Sequence, residues 1–163
     1  MPEILTLCKW LEQTSAAAAV RESLWLFPAI ETVHLFGIIL LVGSTVAFDL
    51  RLLGLVLRDD PVSRLASRLL PWAWVGFAVQ VITGALLFAS EATKCYANPP
   101  FRIKMLLLLL AALNALLFHA ASFRNVADWD KIPNPPWAAK LAGVSSILLW
   151  LGIVAAGRWI GFT

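Results

Sequence analysis

The sequence predicts an all-α fold: an integral membrane four-helix bundle preceded by a short N-terminal interfacial amphipathic helix. Three observations carry that reading. Of the 163 residues, 60% are hydrophobic and only 14% are charged, against about 25% charged in ordinary soluble domains. The mean hydropathy is +0.80. The few charges gather between four apolar runs, each close to the roughly 20 residues that cross a hydrocarbon core of about 30 Å. This excludes a water-soluble enzyme, a disordered tail and a coiled coil. The net charge of +3 comes from 13 Lys and Arg against 10 Asp and Glu, with no basic cluster dense enough for nucleic acid.

Residues 1–26 form the N-terminal segment. It lacks the basic start and continuous apolar core of a signal peptide. Ile4, Leu7, Cys8 and Leu11 recur at helical spacing, with Glu3, Lys9, Glu12 and Gln13 on the other side; that pattern suits a helix lying in the membrane interface. Residues 27–163 form the membrane domain, with spans near 28–50, 69–90, 102–123 and 139–160. Pro28 suits the first turn of the first span, where its missing N–H costs nothing. The connections carry turn chemistry in Arg58-Asp59-Asp60-Pro61, in Asn98-Pro99-Pro100 and between Asp128 and Pro136. Trp25, Trp72, Trp74, Trp137 and Trp159 fall near span ends, as an aromatic belt requires. The pairs Ala111/Ala115 and Gly152/Ala156 suit close helix approach.

Four spans place both termini on one side of the membrane, side A, with the first and third connections on side B. Arg51, Arg58, Arg64 and Arg68 cluster near span ends on side B. The positive-inside rule therefore assigns side B to the cytoplasm and both termini to the periplasm. Cys8 and Cys95 would then share the oxidising side, where a disulfide between the interfacial helix and the second connection is one option and two unpaired thiols the other.

Ionisable groups within spans are costly and serve as default functional candidates. On the first span Glu31, His34, Leu41, Thr45 and Asp49 share a face. On the third, Lys104, Leu108, Ala111, Ala115 and His119 do so, and the second aligns Gly76, Gln80, Gly84 and Glu91. These polar stripes interrupted by small residues suit a neighbouring helix or something flat. His34 is either a haem-iron ligand or a histidine bonded to Glu31 or another polar group. His119 lies 15 residues beyond Lys104, about 22 Å deeper, so the two histidines are not expected to share one iron. It is either a histidine bonded near the interface or part of a second site near side B with Asp49. Glu31-x-x-His34 is only half of a carboxylate di-iron pattern, and no phosphate loop, nucleophile elbow or zinc spacing is present. No hydrolase or transferase signature emerges.

The first span, from Val33-His34-Leu35-Phe36-Gly37 through Gly43 to Asp49-Leu50-Arg51-Leu52-Leu53-Gly54, resembles an uncharacterised bacterial family of small four-helix membrane proteins. More distantly it is similar to the superfamily of the HemJ-type protoporphyrinogen oxidase and the copper-resistance protein CopD. His34 with Arg51-Leu52 fits one HemJ-type pattern, and Phe101-Arg102-Ile103-Lys104 fits another. The resemblance implies a bacterial inner-membrane protein with haem b on the His34 face and Lys104 as second ligand or propionate partner.

Three functions follow. In the leading one, the protein binds haem b and passes electrons between it and a membrane quinone or a periplasmic redox partner. His34 is then the axial ligand, with Lys104, Arg102 and Arg158 toward side A near the propionates. The second is a copper-handling transporter of CopD type, and the third a non-catalytic structural or assembly subunit of a membrane complex. The bilayer is the common partner, and association into an oligomer is compatible with each.

Overall fold

The computed structural model describes residues 2–162 and is helical throughout its main elements. Two short helices, α1 (Pro2–Glu12) and α2 (Ser15–Glu22), lead into α3 (Leu26–Leu52) and α4 (Val62–Ser90). A short α5 (Ala92–Ala97) precedes α6 (Pro99–Ala121). After a 3-10 turn and α7 (Val126–Trp129), α8 (Trp137–Ile160) completes the chain. The helices α3, α4, α6 and α8 are each long and apolar enough to cross a membrane, and they form the four-helix bundle. The N-terminal segment is two helices rather than one, because the Thr14 hydroxyl accepts from the Ala17 N–H at 3.4 Å and restarts the chain.

Local chemistry sets the ends. Asn98 caps α6 by accepting from the Phe101 N–H at 3.2 Å, and Pro99 and Pro100 fill the first turn, where no N–H is needed. At the end of α3, Gly54 takes φ +70°, and the N–H groups of Gly54 and Leu55 bond back to the carbonyls of Arg51 and Leu50. This is a Schellman stop, and glycine is suited to its left-handed position. The helix α4 begins at Val62, one and a half turns or more before the expected span start at 69, and runs on through Pro71. Its first turn is capped from the third connection. The Asp130 carbonyl accepts from the Val62 N–H at 3.1 Å, and the Asp130 carboxylate accepts from the Ser63 N–H and hydroxyl, both at 2.7 Å. Burial alone would raise that carboxyl, but the two Ser63 bonds outweigh it and hold it below the ordinary carboxylate range.

Helix α3 is central and packs on α4 along one side and α8 along the other, and α6 packs on α8. Gly76 on α4 is the closest approach: a Cβ there would stand 2.5 Å from the Leu41 backbone N and 2.9 Å from the Gly37 carbonyl oxygen. The α6–α8 seam uses Lys104, Leu107 and Asn114 against Gly157, Gly152 and Ala142, with the Asn114 amide donating to the Ala142 carbonyl at 3.0 Å. Among the described residues, α4 and α6 do not pack along one another. They meet at side A through the stacked Phe88 and Phe101 rings, 5.5 Å apart. The bundle is thus an arc in the order α4, α3, α8, α6, open along one seam.

The buried apolar cluster lies at side B, where Phe48, Leu52, Val62, Leu65, Ala66, Trp129 and Ala139 pack together. Beside it Arg51 is fully buried, donating from Nε to the Asp60 carbonyl at 3.0 Å and from Nη2 to the Ile132 carbonyl at 3.5 Å. That side chain ties the first connection to the third. At side A, α1 packs on α5, and Cys8 and Cys95 are both free thiols. Burial, then the Glu91 carboxylate, pushes the Cys95 thiol up, which disfavours the thiolate that disulfide exchange requires.

Gly76→Ala should force α3 and α4 apart and cost about 1–3 kcal/mol, read as an earlier midpoint in a denaturant titration of the detergent-solubilised protein. Asp130→Ala should cost about 1 kcal/mol and raise hydrogen exchange at Val62 and Ser63. The depressed Asp130 carboxyl adds stability above its unfolded-state value, and that gain disappears as pH falls through the folded value. The variant should therefore differ from wild type at neutral pH and converge with it in acid.

Candidate functional site

His34 lies eight residues into α3, about 12 Å from its side-A end. Its Nδ1 is 2.7 Å from the Thr83 hydroxyl oxygen on α4. That hydroxyl already donates its hydrogen to the Val79 carbonyl at 2.5 Å. The Thr83 oxygen can therefore only accept from the ring, so Nδ1 carries a proton and Nε2 has no hydrogen-bond partner among the described residues. One turn earlier on α4, the Gln80 amide donates to the His34 carbonyl at 2.5 Å, fixing the backbone as well. Gly84 faces the imidazole: a Cβ there would stand 3.4 Å from Cε1, in ordinary van der Waals contact with the ring. The partner of His34 is thus Thr83, while Glu31, a turn nearer side A, is exposed.

Lys104 enters from α6 at a comparable depth. Its Nζ lies against Gly157 of α8, 3.6 Å from where a Cβ would be, and its side chain is half-buried. The ammonium is within electrostatic reach of the His34 ring, and no carboxylate among the described residues pairs with it. His34 and Lys104 thus both lie toward side A, within electrostatic reach of one another. A lysine without a carboxylate partner and an imidazole with a free lone pair are each costly to place in a membrane span.

The other candidates lie apart. Arg102 is on the opposite face of α6 from Lys104, exposed, with Nε donating to the Tyr96 carbonyl at 3.1 Å and the guanidinium over the Tyr96 ring. Arg158 follows Gly157 on α8 and lies over the Phe162 ring, at the same end of the bundle as Lys104. His119 is exposed two residues before the end of α6, stacked on Phe123 at 5.5 Å. Asp49 is 6% exposed and turns to α8, where Ser146 is its hydrogen-bond partner. Sequence reasoning did not single out Thr83 or Ser146. Thr83 was detectable, because it stands seven residues after Gly76 and three after Gln80 and so continues their stripe.

Residues 26–163 match the model of a family of unknown function, DUF6644. The chain belongs to that family. The helix α1 and the helix α2 precede the matched residues. No curated protein and no solved structure matches the chain.

Thr83→Val should release the ring without removing it. In wild type, nitrogen-15 spectra of the labelled protein should show Nδ1 protonated; in the variant that preference should be lost while the helix content is kept. An unchanged ring signal would show that Thr83 does not set the tautomer.

Proposed function

We propose that this protein binds a b-type haem on the His34 face of α3 and passes electrons between it and a membrane quinone or a side-A redox partner. In this reading it resides in the bacterial inner membrane with both termini in the periplasm. The observation that carries it is the unpartnered Nε2 of His34, held in one tautomer by Thr83. A zinc-type site built from side chains takes three or four donors. Among the described residues, no group of three or more His, Cys, Asp or Glu side chains comes together. A haem brings most of its iron's ligands itself, so one well-placed histidine such as His34 would hold it. A histidine with a free Nε2 suits that role; copper is the cargo in the CopD-type alternative.

When bound, the haem would supply a one-electron couple. His34 would hold the iron through Nε2, with the Nδ1–H bond to Thr83 orienting the ring as a metal-bound histidine requires. Lys104 would serve as the second ligand or neutralise a propionate, and Arg158 at the same end offers a further positive charge. Arg102 would reach a propionate only by turning away from Tyr96. His119 stays available for a second site near side B. Gly84, with no side chain, lies against the imidazole, and a flat group would enter by the open α4/α6 seam.

A second reading, a non-catalytic subunit of a membrane complex, draws on α6. Only 6% of the apolar window in its span is buried, so most of that helix is left to lipid or to a partner. The two readings part on colour. Detergent-purified protein, oxidised and then reduced, should show a Soret band with b-type α and β bands and give a positive pyridine haemochrome assay. His34→Ala should lose the pigment and His119→Ala should keep at least one haem. A protein that stays colourless after haem supplementation would sink this proposal and turn attention to copper analysis and partner subunits.

A further inference from the structure

At side A the interfacial helix α1 does not seal against the bundle. Between α1, the end of α4, α5 and the start of α6 lies a cavity of about 330 Å³, within the size range of small-molecule sites. Its walls include Leu7 and Cys8 from α1, Phe88 from α4, Tyr96 from α5, and Phe101 and Arg102 from α6. Apart from Arg102 the walls are apolar or aromatic. The stacked Phe88 and Phe101 rings form part of its wall, and neither His34 nor Lys104 lines it.

Arg102 gives this cavity a polarity. Its Nε is committed to the Tyr96 carbonyl at 3.1 Å and its plane is steadied over the Tyr96 ring. No described residue accepts from its two terminal nitrogens. The nearby carboxylates are engaged elsewhere: Glu12 accepts from the Thr93 N–H at 2.7 Å, and Glu91 pairs with Lys94 at 3.8 Å. A fixed guanidinium with its fork free matches the geometry of a phosphate. Directly beside it, an apolar volume opens beneath a helix at the level of the membrane surface.

We infer that this cavity binds an anionic phospholipid, with its phosphate on the free fork of Arg102 and an acyl chain beneath α1. The lipid completes the contact between α1 and the membrane domain, filling space that side chains leave empty. Neither His34 nor Lys104 lines the site, and with Arg102 held over Tyr96 its fork serves the lipid and not a haem propionate.

Native mass spectrometry of the full-length protein in detergent tests this, with phosphatidylglycerol and phosphatidylcholine titrated side by side. One phosphatidylglycerol should bind per chain in preference to phosphatidylcholine, and Arg102→Gln should weaken it about fivefold, the effect of removing about 1 kcal/mol of cation–lipid attraction. Cys8→Phe, which fills the cavity and leaves the charge, should weaken both lipids, with circular dichroism confirming that it folds. Equal binding of the two lipids, or an Arg102→Gln protein that binds phosphatidylglycerol as before, would overturn the inference. So would displacement of the lipid by millimolar inorganic phosphate alone, which would mark a phosphate site without an acyl pocket. A neutral quinone recovered from the cavity in place of phospholipid would overturn it too.

Discussion

The crossing of α3 and α4 at Gly37 and Gly76 governs the site. The two backbones come so close there that even one methyl group at Gly76 would meet the Leu41 nitrogen at 2.5 Å. In a bilayer, lipid tails are as apolar as the side chains they would replace, so helices associate through packing and interhelical hydrogen bonds. Close approach supplies both here. It brings Gln80 within reach of the His34 carbonyl and Thr83 within reach of the His34 ring. One steric allowance thus becomes a fixed imidazole with its free nitrogen turned away from α4's hydroxyl.

The two ends of the bundle are built differently. At side B the apolar cluster, the buried Arg51 and the Asp130 cap bind two connections and three helices into one plug. Pulling the connections away would strip a buried guanidinium of its carbonyl partners, which is costly, so this end resists opening. Side A has aromatic stacking, short helices and a cavity in place of such a plug. Unused bonding capacity is found at both ends: His34 and Lys104 lie toward side A, while Asp49 Oδ2 and Arg51 Nη1 are buried without a hydrogen-bond partner at side B.

The membrane class and the four spans were legible in the sequence because charge is excluded from lipid on a scale that single residues reveal. That His34 and Lys104 both lie toward side A was legible through depth alone, since both count from the same side. The start of α4 at Val62 was not, because its cap, Asp130, comes from 67 residues away and leaves no local trace. Arg51 reads in sequence as an orientation charge at a span end, whereas the fold buries it completely. The split of Asp49 from His34, one facing α8 and the other α4, was likewise hidden, because helical spacing gives a face but not the neighbour that covers it.

The seam between α4 and α6 bears on how any molecule would reach His34. A groove open to lipid is entered sideways, by diffusion in the plane of the bilayer, so the concentration that matters is the one dissolved in the membrane. Each methylene added to such a molecule is worth about 0.8 kcal/mol of partitioning, or roughly fourfold in local concentration. Chain length would therefore tune occupancy as strongly as any contact with the protein, and two molecules with identical head groups would be told apart by their tails.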